Sequence, residues 1–599
     1  MRKEFHTLLS LSEAQYIALN RLPVVKVGWV PLDFALNSVL AEKIVSEVDV
    51  PGFNRAIMDG FAVHSSDTYQ AREELPISLK MIGNVSIGTI PELKVAHGEA
   101  IEISTGCMIP TGSDAVVMVE YCDDLDDEIL IYKPVHAGEN IQTAGSDIML
   151  GETVLFPGTI ITARDIGVLA AVGCHKIRVR KLRVGIASIG NELSSLNAHL
   201  GPGQVFDVNS HSIAAAVLDC GGTPVKYGIF PDDREKMTEI LLKMSSECDM
   251  VLLSGSTSAG KSDYLYGVMD EIGELSFHGI NLKPGKPTIF GHVNRKPTFG
   301  LPGYPTSALT VFSLIVAPVI RKVLGLKCKT NVFSGKLAIP IRSEGRQQML
   351  AASVKGEWIL PVDKGSGSIT TLSKADGIIE IPAEVEYLEK GENLDIQLFE
   401  ELHEPDLVIS GENCFQLEML AEKLPLNIRF LNNGKRGLIL LEEGLADIAC
   451  VSCHVAEGIN YGSKYFLAGE YFQELGLIAK DEALLHPENI AYRSIMGWSR
   501  ESDMKLLFEN SLRDMGANIK DLTFIGEART HSAVAASVVS GKTDLGFGEQ
   551  KVAGIKNLAF KSLMLNKIVL ITAGSNLDKM AMKLLLSHLN SSNNFEKSD

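Results

Sequence analysis

No stretch of this chain reaches the roughly 18 to 20 consecutive apolar residues that a membrane-spanning helix requires. The nearest approach, Ala308 to Ile320, is short and contains Pro318, so no membrane association is expected. Clustered positive charge is equally scarce. Lys and Arg number 56 against 74 Asp and Glu, a formal net charge of −18, and no window interleaves basic residues with aromatics. That balance argues against a nucleic-acid surface. The cysteines, nine in number, are odd and scattered, which suits a reducing compartment better than a disulfide framework. Only Cys450, Cys453 and His454 cluster, in IACVSCHV. Without a second Cys/His pair they read as buried thiols at a strand end, not as a zinc or haem site. The opening MRKEFHTLLSLSEAQYIAL is broken by Glu4, His6 and Glu13 and has no long apolar core or small-residue cleavage site, so it reads as a helix of a cytoplasmic protein.

What is present is enough apolar material, 45% of 599 residues, for several domains. The most informative stretch is VLLSGSTSAGKSDYLY, Val251 to Tyr266. Gly255 to Ser262 satisfies G-x-x-x-x-G-K-[ST], a phosphate-cradling loop that would employ Lys261. Such an enzyme also needs a second strand ending in a magnesium-binding Asp, and the one candidate before Cys328, YLYGVMD, falls in a predicted helix. The other reading is a turn of small residues at a helix N-terminus, with Asp263 as the working acid.

From Lys181 to Gly260, continuous apolar runs alternate with amphipathic helices, the pattern of a parallel sheet covered on both faces. Open sheets of this kind bind ligands at the C-terminal ends of their strands. There the sequence gathers Gly190, Asn191 and Glu192; Asp207 and Asn209; Asp232 and Asp233; and Ser254 to Asp263. Any one of Asn191, Asp207 or Asp232 alone would read as a helix cap. Farther on, NLKPGKPTIFG presents Lys283 and Lys286 about a Pro-Gly turn, and GLPGYPTSAL builds a rigid turn from Pro302, Gly303 and Pro305 that opens a helix over Thr306 to Ile320.

DVPGFNRAIMDGFAV (Asp49 to Val63), the Thr105–Gly106 turn within IEISTGCMIPTGSDAVV, the GEN turn at Gly138, SGSTSAGKSD, KPGKP and GLPGYP stand in one order. Together they resemble the molybdopterin molybdenumtransferases, the MoeA and gephyrin E-domain family. The resemblance covers roughly the first two thirds of the chain. After Leu402 a fresh α/β series is similar to the periplasmic-binding-protein-like domain attached to some members of that family. The expected fold is multidomain α/β: an elongated linker domain from residues 1–50 and 133–180, a small β-rich domain at 51–132 carrying the MDG loop, a molybdopterin-binding parallel-sheet domain at 181–327, a small β domain at 328–402, a two-lobed α/β domain at 403–590, and a polar tail at 591–599.

The resemblance implies insertion of molybdate into adenylylated molybdopterin with release of AMP. It assigns Asp59, Glu192, Asp232 and Asp263 to the chemistry, with Asp59, Glu192 and Asp263 on Mg2+. Thr105, Asp147, Asp207, Gly255, Ser258, Gly260, Lys283, Lys286, Pro302, Gly303 and Pro305 would hold the substrates. It further implies a homodimer with a shared site, and a molybdopterin adenylyltransferase as partner. In the C-terminal domain, Ser410, Asn413, Ser499, Ser502, Thr530 and His531 are the candidate ligand positions, for a small anion or pterin. Several positions depart from the family pattern, among them Ala56, Phe61, Gln142 and Ser256. Two alternatives therefore stay open, a molybdopterin adenylyltransferase or P-loop NTPase using Lys261, and a binding or scaffold protein without turnover.

Overall fold

The computed structural model describes residues 8–257, 264–327, 331–343, 345–362, 369–453, 464–486, 490, 493–500, 502–516 and 521–591. The calls on Ser258, Gly260, Lys261, Asp263 and His454 lie outside them.

Two distant segments build the elongated N-terminal part. Lys26–Pro31 pairs antiparallel with Lys176–Lys181, and Ile44–Val45 with Thr153–Leu155. Between these segments runs a six-stranded sheet in the order Ala115–Met118, Gly60–Val63, Glu99–Ile103, Ile77–Val85, Glu128–Ile131, Cys122–Asp124. Its two faces bury separate apolar sets, one around Phe61 and Val117 and the other around Ala62 and Ile101.

The α/β unit holds a second six-stranded sheet, ordered Thr223–Phe230, Arg183–Ile189, Met250–Ser254, Lys296–Leu301, Ile289–Val293, Gly273–His278. The first four strands are parallel, and the three inner ones carry the unbroken buried runs expected where both faces are covered, while Thr223–Phe230 is a half-exposed edge. Ile289–Val293 then runs antiparallel to both of its neighbours, which the sequence reading had not foreseen.

Helix Leu11–Leu19, expected with the elongated part, packs instead into the core of this unit through Leu11, Ala14 and Ala18. A capping box starts it: Ser10 Oγ accepts from the Glu13 amide at 3.2 Å, and Glu13 accepts from the Ser10 amide at 2.8 Å. The helix also repairs a defect in its neighbour. Pro318 has no N–H to offer the Leu314 carbonyl one turn earlier, the backbone over Phe312–Val316 loosens into a π-type turn, and Gln15 Nε2 donates to that carbonyl at 2.8 Å. The continuous helix Pro305–Leu324 is long and apolar enough to cross a membrane by length and composition, yet it is the central core helix here, with 67% of its apolar window buried.

The short strand Leu282–Lys283 leaves this unit and pairs with Gln347–Lys355 of the following β domain, Lys283 opposite Gln348. Gln347–Lys355 therefore touches the α/β unit at one end. At its other end Lys355 is ion-paired with buried Asp447 of the C-terminal domain, and Lys579 reaches the same carboxylate at 2.6 Å. Arg429 adds a two-pronged contact to Asp376, at 3.0 and 3.2 Å.

The C-terminal domain is built on an eight-stranded sheet. Two 15-residue strands, Tyr465–Ala479 and Ala559–Ala573, run antiparallel through its middle. Each half has its own core, one around Leu417, Leu570 and Leu585 and the other around Trp498, Phe508 and Phe547.

Candidate functional site

A cavity of about 1130 Å³ opens at the C-terminal ends of the parallel strands, between the α/β unit and the β domain that follows it. Glu192, Asp207, Asp232, Gly255, Lys283, Lys286, Pro302, Gly303 and Pro305, all singled out from sequence, line it together.

The backbone explains why these residues meet. The fully buried strand Met250–Ser254 ends at Gly255, whose φ is +99° and whose missing Cβ would stand 2.2 Å from the Ile189 carbonyl oxygen, so no other residue fits there. Ser256, where the family has glycine, also adopts a left-handed φ of 53°. Asn209 ties the site together, its Nδ2 donating to Ser254 Oγ at 2.7 Å and to the Gly303 carbonyl at 2.8 Å. The sequence had marked Asn209 only as a polar strand-end residue, and this pinning of the Pro302–Gly303 turn could not be read from it. Asp207 is buried and accepts from Ser188 Oγ at 2.8 Å and the Ser210 amide at 3.1 Å, so its carboxylate is committed to the scaffold that holds Asn209. Asn191 Oδ1 accepts from the Asp232 amide at 3.3 Å, which links two acid-bearing strand ends. The exposed Glu192 carboxylate folds back over Gly190, where an added Cβ would lie 2.7 Å from its oxygen. From the β domain, Arg346, Gln348 and Thr371 also face the cavity, three residues that sequence reasoning missed.

Asp59, Thr105 and Asp147 are not in this lining. Asp59 is exposed on the first β domain, where its carboxylate accepts from the Thr105 amide at 2.6 Å. That bond holds the Asp59 carboxyl below the usual carboxylate range. Gly60 follows because a Cβ there would collide with the Val117 carbonyl oxygen at 1.8 Å. At the corner where the family carries Arg, Gln142 accepts a 3.0 Å hydrogen bond from Arg55 Nε, so a guanidinium does stand there.

Four family models match in chain order. They are described as MoeA N-terminal region (domain I and II) at residues 9–173, "probable molybdopterin binding domain" at 185–322, MoeA C-terminal region (domain IV) at 334–399, and PBP superfamily domain at 418–590. A molybdopterin biosynthesis protein of Methanocaldococcus jannaschii is 36% identical over 412 residues, covering 66% of this chain and 99% of that protein. This chain belongs to the MoeA family. It is thus a molybdopterin molybdenumtransferase of molybdenum cofactor biosynthesis with an added PBP-like domain. The enzyme of that name from Staphylococcus epidermidis is 31% identical over 409 residues, 67% of this chain and 98% of its own. Among solved structures, a MoeA protein of Pyrococcus horikosii is 38% identical with a TM-score of 0.59, covering 66% of this chain and all of its own.

The PBP-like domain brings four of its six candidate residues to the junction of its two halves. Ser502 and Thr530 cap helices there, accepting from the Met504 amide at 3.1 Å and the Ala533 amide at 3.2 Å. Asn413 accepts from the His531 amide at 3.0 Å. His531 is fully buried against Trp498, and burial drives its imidazole down to about 3, so it is neutral. Ser410 turns the other way and bonds Asn433 at 2.9 Å, and Ser499 supplies the carbonyl that the Ser502 amide reaches at 3.0 Å. Cys450 is buried beside Cys414, whose hydrogen bond, with burial, pushes its thiol up.

The residue missed at this junction is Glu412. Burial lifts its carboxyl to about 7, although hydrogen bonds from Ser502 and the Asp503 amide oppose the rise. A folded-state value above the unfolded one means that the folded chain holds the extra proton. The associated stability is therefore fully present below about 4.5 and is lost as pH rises through about 7. Glu412→Gln should lack this dependence, so its melting midpoint relative to wild type climbs across that interval. A difference that stays constant with pH in calorimetric scans of the full chain would contradict it.

Proposed function

We propose that this enzyme inserts molybdate into adenylylated molybdopterin and releases AMP. It would act in the cytoplasm as a homodimer supplied by a molybdopterin adenylyltransferase. The observation that carries the reading is the convergence of two lysines, three carboxylates and two glycine-proline turns on one cavity at the strand ends. Lys283 and Lys286 would bind the phosphates and neutralise charge on the leaving AMP. The turn at Gly255 and the N-terminus of the Pro305–Leu324 helix would offer backbone N–H groups to oxyanions.

Glu192 and Asp232 line the cavity as hard oxygen donors, and this donor set fits magnesium in kind. Among the described residues no group of three such side chains converges, so Asp263 and Asp59 are proposed to complete the set. When bound, the cation polarises the phosphoryl oxygen of the anhydride. Asp59, fixed by Thr105, would enter from the second protomer, with Asp147 supporting its loop.

The PBP-like domain is proposed to take a small ligand between its halves, adding regulation or delivery. The deciding experiment is a single-turnover reaction of the full chain with adenylylated molybdopterin, molybdate and Mg2+, followed by metal analysis of the pterin. One molybdenum per pterin and matching AMP are expected. Bound pterin that gains no metal would make the chain a binding or scaffold protein.

A further inference from the structure

The two halves of the PBP-like domain are held together by the chain's own side chains at the place where an external ligand would sit. Glu412 follows the strand Leu407–Gly411 of the first half. Its Oε1 accepts from the Asp503 amide at 2.7 Å and its Oε2 from Ser502 Oγ at 2.6 Å. Those donors are the N-terminus of the 12-residue helix Asp503–Asp514 in the second half. The next residue, Asn413, occupies the N-terminus of the 9-residue helix His531–Val539 through the His531 amide. Two consecutive side chains of one half thus fill two helix ends of the other.

A helix N-terminus carries unsatisfied N–H groups and partial positive charge, which favour a carboxylate or oxyanion. All five residues, Glu412, Asn413, Ser502, Asp503 and His531, are buried. Satisfaction of this cluster is incomplete among the described residues, where the fully buried His531 Nδ1 has no hydrogen-bond partner. Charge narrows the ligand class. Lys435 Nζ, 3.5 Å from Asp503 Oδ1, faces the carboxylates of Asp503 and Glu412. Above about pH 7, where Glu412 is ionised, a dianion added beside them would meet net negative charge, whereas a monocarboxylate put in place of Glu412 leaves the charge unchanged.

We infer that Glu412 is a tethered ligand: its carboxylate fills the interlobe anion site, and the cleft admits a small carboxylate-bearing molecule only in exchange for it. The inference rests on the reading of this domain as a two-lobed ligand trap and names the chemistry of what enters. Tethering places the internal carboxylate at an effective concentration of millimolar or higher, so an outside competitor starts at a disadvantage.

Acetate is the probe. Full-length wild type, Glu412→Ala, Glu412→Gln and the double variant Glu412→Ala/Ser502→Ala are titrated with it, and with molybdate in parallel. Melting midpoint and the fluorescence of Trp498, which packs on His531, are read. Glu412→Ala is expected to melt lower than wild type and to be restored saturably by acetate, at least about tenfold more tightly than any wild-type response. Glu412→Gln, which keeps the shape, and the double variant, which lacks a donor, should show no such recovery. If Glu412→Ala folds only when acetate is present, the inference is supported. If acetate does not restore its folding while Glu412→Gln folds normally, the inference is overturned. Equal acetate responses in wild type and Glu412→Ala, or in Glu412→Gln and Glu412→Ala, also overturn it. A silent wild type is the outcome an occupied cleft predicts; a molybdate shift in wild type without acetate recovery in Glu412→Ala overturns the inference and leaves the ligand-trap reading standing, whereas no response to either probe in any folded variant tells against both.

Discussion

Glu192→Gln is expected to slow molybdate insertion at least about a hundredfold, equivalent to about 2.7 kcal/mol of transition-state stabilisation, without a change in melting midpoint. The carboxylate is exposed, lines the cavity and lies over Gly190, so an amide of the same shape removes charge and little else. A loss of this size is what removal of a charged ligand from a divalent-cation site produces. Asp59→Asn should fall comparably, because the amide oxygen still accepts from the Thr105 N–H and preserves the loop. Both are measured as single-turnover product formation beside a thermal scan. If both variants turn over like wild type, these carboxylates have been given the wrong role.

Mixing the two inactive variants should restore activity. Among the described residues, nothing before Ile189 lines the cavity, whereas Asp59 immediately precedes the strand Gly60–Val63 of the first β domain. One protomer therefore leaves Asp59 away from Glu192, and the proposed shared site draws one from each chain. After subunit exchange of equal amounts, half of the dimers pair unlike chains, each with one intact and one doubly damaged site. Activity should recover to about a quarter of wild type, as closed twofold symmetry dictates. No recovery, with exchange verified by mass, would mean that each protomer works alone.

Most of the cavity was legible because strand ends, glycines and prolines announce themselves locally. Gly255, Lys283, Pro302 and Gly303 were placed by turn chemistry, without knowledge of any distant contact. What escaped depends on long-range pairing or on an unusual residue in a usual turn. The hairpin joining Ile289–Val293 to Lys296–Leu301 turns on Asn294 and Arg295, with φ of 51° and 61°. That turn normally advertises itself by glycine in its second place, and Arg295 hid it. Gln15 reaches a carbonyl 299 residues away, a match no local pattern encodes. Glu412 carries no local signal, because its significance lies in the Ser502 hydroxyl and Asp503 amide 90 and 91 residues farther on.

The strand Gln347–Lys355 has a mechanical consequence. At one end Gln348 and Met349 form part of the cavity wall, and at the other Lys355 is ion-paired with Asp447, so a single extended rod of roughly 26 Å spans from the cavity to the PBP-like domain. Such a mounting is the opposite of a swinging arm. A lipoyl-type or carrier-type shuttle gains its advantage from a floppy tether that sweeps a cargo between stations, and a domain bolted down at Asp376 and Asp447 has no such sweep. Delivery by a travelling arm is therefore not the use to which this attachment is suited. What the rod fixes is position: Asp447 and Arg429 both belong to the first half of the domain, so that half stands at a set distance from the cavity wall while, among the described residues, the second half is attached only through the first.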